Sequence, residues 1–448
     1  MCLIDCGGPF EKYDSIIHSS KNIRLGVICA AGHEGLLRTF LNQLNERATV
    51  GRYDDSDYLV DFPGFGEAFK CGLSIPSSNN DPEWKTIPDV PEGEPIPMYQ
   101  KAIHLVTEKL KELETSTSID VAIIYIPKRW AVFEKIVTND IHFDLHDQIK
   151  AICVERGIRS QLIRESKVRN ENTCRMRWWL SLALFTKAMR TPWMLESSGE
   201  KVAYVGIGYS IDEASKDEHI VLGCSHVFDS TGQWLRFRLS QLQKPIWREN
   251  PFTRQKNPFM SRNDAYLLGD RTRQLFYEAQ QSLPNRVMIC KRIPFLNAEV
   301  EGLLSALSGI PHIDLLTIQQ DRIWRFCAYD TVKKKVHGFP VKRGTGLILD
   351  DLDMLLWLHG NVINLKNNRS YFQGKSRIPT PVRVTRYAGD TPVETIASEL
   401  LALTKMDWNT FVLYKQMPVT VTTPNSIARI GRLLHRLVAD SYDYRLFM

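Results

Sequence analysis

Between residues 202 and 242 the chain carries three runs rich in β-branched, aliphatic and aromatic residues: VAYVGIGYS, HIVLGCSHVFD and WLRFRLSQL. The polar segments between them are too short to hold a crossover helix, so neighbouring strands have to lie antiparallel. The chain then changes character. A helical pattern at 264–282 (DAYLLGDRTRQLFYEAQQS) precedes the strand-like RVMICKRI, a helical stretch at 297–308 and the strand-like HIDLLTI. These connections are long enough for helices, which permits parallel pairing. Nothing else in the sequence restricts the architecture as much as this switch from a meander to strand–helix–strand.

Three antiparallel strands, then helix, strand, helix, strand, is the order of a ribonuclease H-like fold, and it is expected over 198–448. The first half alternates strands and helices from the start. After a short lead-in at 1–20, NIRLGVICAAGHEGLLRTFLNQLN reads as an apolar strand, a Gly-containing turn and an amphipathic helix. Residues 73–98, rich in Pro, Ser, Asn and acids, read as a loop. A helix at 99–114, a strand at 121–127, a helix over HDQIKAICVERG, a strand in SQLIRE and a long helix ending near Lys187 follow. The alternation predicts a mostly parallel, Rossmann-like α/β domain over 21–197. Towards the C-terminus SIARIGRLLHRLVAD reads as a helix, and 366–378 as a basic loop.

With 448 residues, 43% hydrophobic and 24% charged, the chain has the make-up of a folded protein of two or three domains. No apolar run reaches the roughly 18 residues a membrane span needs, and the N-terminus lacks the basic-then-apolar pattern of a signal peptide. A cytoplasmic protein is expected. The nine cysteines are odd in number and form no CxxC, which argues against a disulfide framework or a zinc knuckle. Net charge is only +6, but it is concentrated: Lys150–Arg190 holds ten Lys/Arg against three Glu, and Arg236–Lys256 holds six against Glu249. Clustered positive charge in a nearly balanced chain points to a polyanion partner.

KVAYVGIGYS contains Gly206-x-Gly208 after a strand, as phosphate-binding loops do. A dinucleotide site needs a third glycine and then a helix. Position 211 is Ile and the next segment, DEASKDEH, is a polar turn, so no helix N-terminus meets a pyrophosphate. In the ribonuclease H-like order the same stretch is the first strand, where an acid would hold one of two catalytic metal ions. This strand has no acid, and the fourth strand ends on Lys291 and Arg292. The fold is expected without its chemistry.

A Rossmann-like domain followed by a ribonuclease H-like domain, ending on an Arg-rich helix and the apolar YRLFM, resembles the MID and PIWI domains of argonautes. The likeness covers about 21–448 and leaves no room for N and PAZ domains, the pattern of short prokaryotic argonautes. The family holds the 5′ phosphate of its guide with a Tyr, Lys, Gln, Lys set. His146, Lys150 and Gln161 match in HDQIKAICVERGIRSQ, with Gly157 in the turn, and Lys187 matches in LALFTKAMRTPW; His146 departs from the usual tyrosine. His146 and Lys150 stand i, i+4 on one helix face. The resemblance implies a Mg²⁺ ion joining the phosphate, Gln161 and the terminal carboxylate of Met448. The family's catalytic acids match Gly208, Arg292 and Asn425, which implies an inactive PIWI domain. It further implies an RNA guide, a single-stranded DNA target and a heterodimer with an APAZ-domain effector (TIR, sirtuin-like or nuclease) that is switched on in defence against plasmids or phage, with oligomerisation on target binding.

Two other readings compete. Displaced acids such as Asp350, Asp351 and Asp353 in LDDLD would make an active two-metal nuclease. Gly206 and Gly208 in a small-molecule site would make an α/β enzyme. His142, Asp144 and His146 in HFDLH suggest a metal cluster but lack a further clear ligand.

Overall fold

The computed structural model describes residues 1–10, 22–51, 59–88, 90, 92–116, 118–137, 142–169, 173–196, 199–211, 220–228, 235–249, 254, 256–326, 329–336, 341–361, 378–412, 415–434 and 441–448. Along the first half run α1 (Cys2–Gly7), β1 (Asn22–Ala30), α2 (Glu34–Asn42), α3 (Phe65–Phe69), β2 (Gly72–Ser74), β3 (Trp84–Ile87), α4 (Pro95–Ser116), β4 (Val121–Ile126), β5 (Lys135–Val137), β6 (His142–Asp144), α5 (Leu145–Glu155), β7 (Ser160–Arg164), α6 (Glu165–Arg169) and α7 (Cys174–Lys187). The second half follows with β8 (Val202–Ile211), β9 (Ile220–Phe228), β10 (Leu235–Gln241), β11 (Ile246–Glu249), β12 (Lys256–Phe259), α8 (Arg262–Gln280), β13 (Arg286–Lys291), α9 (Asn297–Ala306), β14 (His312–Gln320), β15 (Tyr329–Asp330), β16 (Lys335–Val336), β17 (Gly346–Ile348), β18 (Asp353–Leu356), β19 (Val382–Ala388), α10 (Val393–Leu403), α11 (Val419–Gly431) and β20 (Tyr442–Asp443).

The first sheet is parallel and has β1 at its centre. β2 and β3 pair with successive parts of one side of β1, β4 pairs with the other side, and β7 follows β4. VAIIYI of β4 is buried at every position, as a strand covered on both faces must be. The expected loop at 73–98 is corrected here: it contains β3 and the start of α4. Trp84 and Ile87 of β3 face the core while Lys85 and Thr86 do not, too short an alternation to stand out in a polar stretch. The long helix expected to end at Lys187 is two helices, α6 and α7. Thr173 caps α7, accepting from the Met176 N–H at 3.3 Å.

The second sheet has nine strands in the order β17-β18-β19-β14-β13-β8-β9-β10-β20. β8, β9 and β10 form the antiparallel meander, and β13 and β14 add in parallel beside β8. This is the ribonuclease H-like order. Alternation along β8 divides its two faces. Ala203, Val205 and Ile207 join the core under α8 and α9, while Val202 and Tyr204 join the core on the α11 side. Lys150 and Lys187 come from the first sheet's domain, Met448 from the second, so the junction decides the site. Ala151 and Val154 of α5 are part of the second core. Trp179 Nε1 donates to Thr410 Oγ1 at 3.1 Å, and Trp193 Nε1 to the Lys405 carbonyl at 2.8 Å. The expected domain boundary at 197/198 and most of the basic loop at 366–378 lie outside the described residues.

Candidate nucleic-acid interface

Helix α5 starts where Asp144 accepts from the Asp147 N–H at 3.2 Å. The helix then carries Lys150 inward, and Gly157, at φ +66°, makes the left-handed turn that leads the chain into β7. β7 presents Gln161. α7 ends on Lys187, a cation beside the partial negative charge of its own C-terminus. From the other domain, β20 pairs with β10, and a single 3-10 turn at Tyr444–Leu446 brings the chain to Met448. Phe447 packs edge-on to Phe237 at 4.7 Å and to Tyr442 at 5.7 Å, and Arg445 is bound to Asp443 at 2.7 Å.

These elements bring together four of the residues expected at the phosphate site. Lys150 Nζ donates to the main-chain oxygens of Ser160 and Met448. Lys187 Nζ donates to Gln161 Oε1 at 2.5 Å, and Gln161 Nε2 to the Leu162 carbonyl at 3.0 Å. Both lysines are 2% exposed. Burial lowers the Lys150 ammonium to about 8. Burial, and then the adjacent Lys150 charge, push Lys187 well below the usual lysine range. Among the described residues neither lysine is ion-paired with an Asp or Glu side chain. Two neighbouring lysine amines held out of water disfavour being charged together, and a bound phosphate would favour their protonated forms.

His146 is not among the four. It lies one turn before Lys150, about one-third exposed, with Nδ1 3.1 Å from Asp147 Oδ1. Asp147 in turn takes Arg429 Nε of α11 at 3.0 Å. Sequence reading missed this link between domains, since its partners are far apart in the chain. Asp144, His146 and Asp147 have ligand atoms within 4.8 Å of one another, but Lys135 sits 3.0 Å from Asp144 and Arg429 on Asp147, so cations of the chain already occupy the acids. The basic block at 150–190 is divided: Lys150, Arg177, Lys187 and Arg190 are buried, while Arg164, Lys167, Arg169 and Arg175 are exposed.

On the ribonuclease H-like face α11 lies directly on β8. A methyl group at Gly206 would collide with the Thr420 carbonyl, and one at Gly208 would stand 2.5 Å from the Asn425 nitrogen. Gly208 and the Asn425 backbone are therefore adjacent. The helix expected at 426–440 instead begins at Val419 and ends at Gly431, with Arg432 as its C-cap. Pro424 lies inside it and has no N–H for the Thr420 carbonyl, the same oxygen that Gly206 accommodates. Arg292 follows β13 and is exposed; its carbonyl accepts from Gln319 Nε2 at 2.8 Å. Beside it Lys291 is wholly buried, 2.6 Å from Glu299 and 4.1 Å from the centre of the Phe295 ring. LDDLD forms a turn into β18: Asp350 Oδ1 accepts from the N–H groups of Leu352 and Asp353, and Asp353 pairs with Arg383 at 2.6 Å.

The whole described chain superposes on Clostridium butyricum Argonaute, solved with a guide DNA and a 19-mer target DNA, with a TM-score of 0.67 and 13% identity. The chain has an argonaute-type fold. The Argonaute of A. aeolicus matches all of it with a TM-score of 0.59 and 16% identity, and Drosophila Piwi matches 94% of it with a TM-score of 0.63 and 12% identity. The chain spans about half the length of these proteins, 52%, 52% and 50% respectively. No family model matches the sequence, and no curated protein sequence does. At such low identity the argonaute likeness is a likeness of fold: the first sheet corresponds to a MID domain and the second to a PIWI domain.

Proposed function

We propose that this chain holds the 5′ phosphate of a guide strand between its MID and PIWI domains and recognises a complementary strand by base pairing. The observation that carries this reading is the pair of buried, adjacent side-chain amines of Lys150 and Lys187, close to Gln161 and the main-chain oxygen of Met448. A terminal phosphate brings about two negative charges and three acceptor oxygens to such a pair. His146, at the open end of the helix face, is available to the first base. The protein then contacts backbone and duplex shape, and pairing supplies sequence selectivity.

The donor set suits Mg²⁺, which takes oxygen ligands and readily shares a phosphate. Gln161 Oε1 and the Met448 main-chain oxygen would hold the ion once phosphate has drawn the lysines onto itself. The ion would supply charge neutralisation there.

In this reading the PIWI domain is not a nuclease. Gly208, Arg292 and Asn425 offer no carboxylate to a metal ion, and Asp350 and Asp353 are used up in local bonds. The guide is RNA, the target single-stranded DNA, and a separate APAZ-domain effector provides the chemistry in plasmid or phage defence. The test is direct binding of 5′-phosphorylated and 5′-hydroxyl guides to Lys150→Ala/Lys187→Ala. The expected result is a loss of tenfold or more for the phosphorylated guide alone. Equal losses for both guides would show that the lysines are general backbone contacts.

A further inference from the structure

A polar cavity, about 590 Å³ in volume, lies in the PIWI domain, and neither Lys150 nor Lys187 is among the residues that line it. It is lined by Gln320, Arg322, Arg325, His359, Thr380 and Gln416, among others. Gln320 is the last residue of β14. β14 runs parallel to β13 and β13 to β8, so the cavity opens on the same edge of the sheet as Gly208 and Arg292. Gln319, one residue earlier, is the residue that bonds the Arg292 carbonyl.

Side chains around the cavity are fixed but leave positive charge uncompensated. Gln320 Nε2 is bound to Gln416 Oε1 at 3.0 Å and lies 3.3 Å from Thr380 Oγ1. Arg325 Nη1 donates to the carbonyls of Arg322 and Trp324 at 2.7 and 2.8 Å, which holds its guanidinium while other donors stay open. The neighbouring acid, Asp321, is turned to the main-chain N–H groups of Ile323 and Trp324. Among the described residues neither Arg322 nor Arg325 is ion-paired. Between them Trp324 is 50% exposed, an unusual placement for an indole unless it meets something flat. The volume is of the size that takes one small-molecule ligand or nucleotide. Planar, bidentate Arg donors beside an exposed aromatic ring is the combination that binds single-stranded nucleic acid, phosphate to Arg and base to ring.

We propose that this cavity binds the phosphodiester backbone of a single strand passing along the ribonuclease H-like edge, with Arg322 and Arg325 on phosphate and Trp324 stacked on a base. The identity of that strand as target rests on the preceding reading; the contact itself does not. The experiment measures binding of a 5′-hydroxyl oligothymidine to the full chain across a salt series. Arg322→Ala/Arg325→Ala is expected to weaken binding roughly tenfold and to make the slope of log affinity against log salt shallower by about 1.4, or about 0.7 for each single-strand phosphate lost. Trp324→Ala is expected to weaken binding by a similar factor while keeping the slope. Both arginines are exposed, and Arg322→Gln/Arg325→Gln repeats the measurement with less change of shape. Thermal melting checks that each variant is folded. An unchanged slope in both arginine double variants, or absence of binding by the unsubstituted chain, would overturn the proposal. So would displacement of the strand by thymidine monophosphate at equal nucleotide concentration, which would mark a site for free nucleotides. Lys150→Ala/Lys187→Ala keeps the oligothymidine slope if the two sites are separate, so failure of the 5′-phosphate reading is seen independently.

Discussion

Lys150 shows what burial does to one residue. Its ammonium is lowered to about 8, against about 10.4 in an unfolded chain. A depressed lysine stabilises the fold fully only above its unfolded value, and that contribution is lost as pH falls through the folded value. The chain free of ligand is therefore expected to gain stability between about pH 8 and 10 from this group, measured as a rising denaturation midpoint. Phosphate binding has the opposite trend: affinity for a 5′-phosphorylated strand falls above about pH 8 as Lys150 loses its proton, and a Lys150→Ala variant shows a smaller fall. Glycines give a second residue-scale contrast. Gly208→Asp forces a side chain against the Asn425 backbone and is expected to destabilise by about 1–3 kcal/mol or more. Gly35, inside α2 with open space around it, should tolerate Ala and gain about 0.5–1 kcal/mol. Denaturant titration of both variants checks the pair. Lys150, Gln161 and Lys187 were singled out in the sequence by their match to the argonaute guide-binding set, and the fold brings them together. The Lys291–Glu299 pair was not read, although only eight residues separate its members, because its meaning depends on complete burial.

At the scale of elements, α11 and β20 do the assembling. The sequence suggests that α11 starts after Pro424, since proline is a helix breaker in the interior. The helix starts earlier because the Thr420 carbonyl, which Pro424 has no N–H to bond, lies over Gly206 of β8, where no side chain stands in its way. β20 is two residues long and had no visible signal; its place comes from pairing with Arg236 and Phe237 of β10. Without this short pairing Met448 would not reach Lys150. Phe447→Ala, which removes the aromatic anchor next to Met448, is expected to cost about 3–5 kcal/mol and to reduce selectivity for the 5′ phosphate. Both readouts are needed, since a purely structural anchor would lower the melting midpoint without touching the phosphate preference.

For the whole molecule, the sequence revealed the order of elements and the meander, because local spacing fixes whether neighbouring strands can turn back. It did not reveal β17, β18 and β19 as the far side of a nine-stranded sheet. Their pairing is long-range, and 353–356 and 382–388 give few residues in which alternation can show. Nor did it reveal that the two domains share a core through Ala151, Val154 and Phe411, whose ring meets Trp178 and Trp193 at 5.7 Å. Such an interface makes the two sheets one framework around the lysine pair.

The packing of α11 on Gly206 and Gly208 also constrains how such a sequence can change. An acid introduced at 208 meets backbone before it meets a metal ion, and a helix moved aside first leaves an open groove over two glycines. Either order of mutation passes through a less stable protein before any chemistry is available to select. The contact thus works as a ratchet against gaining an acid at position 208.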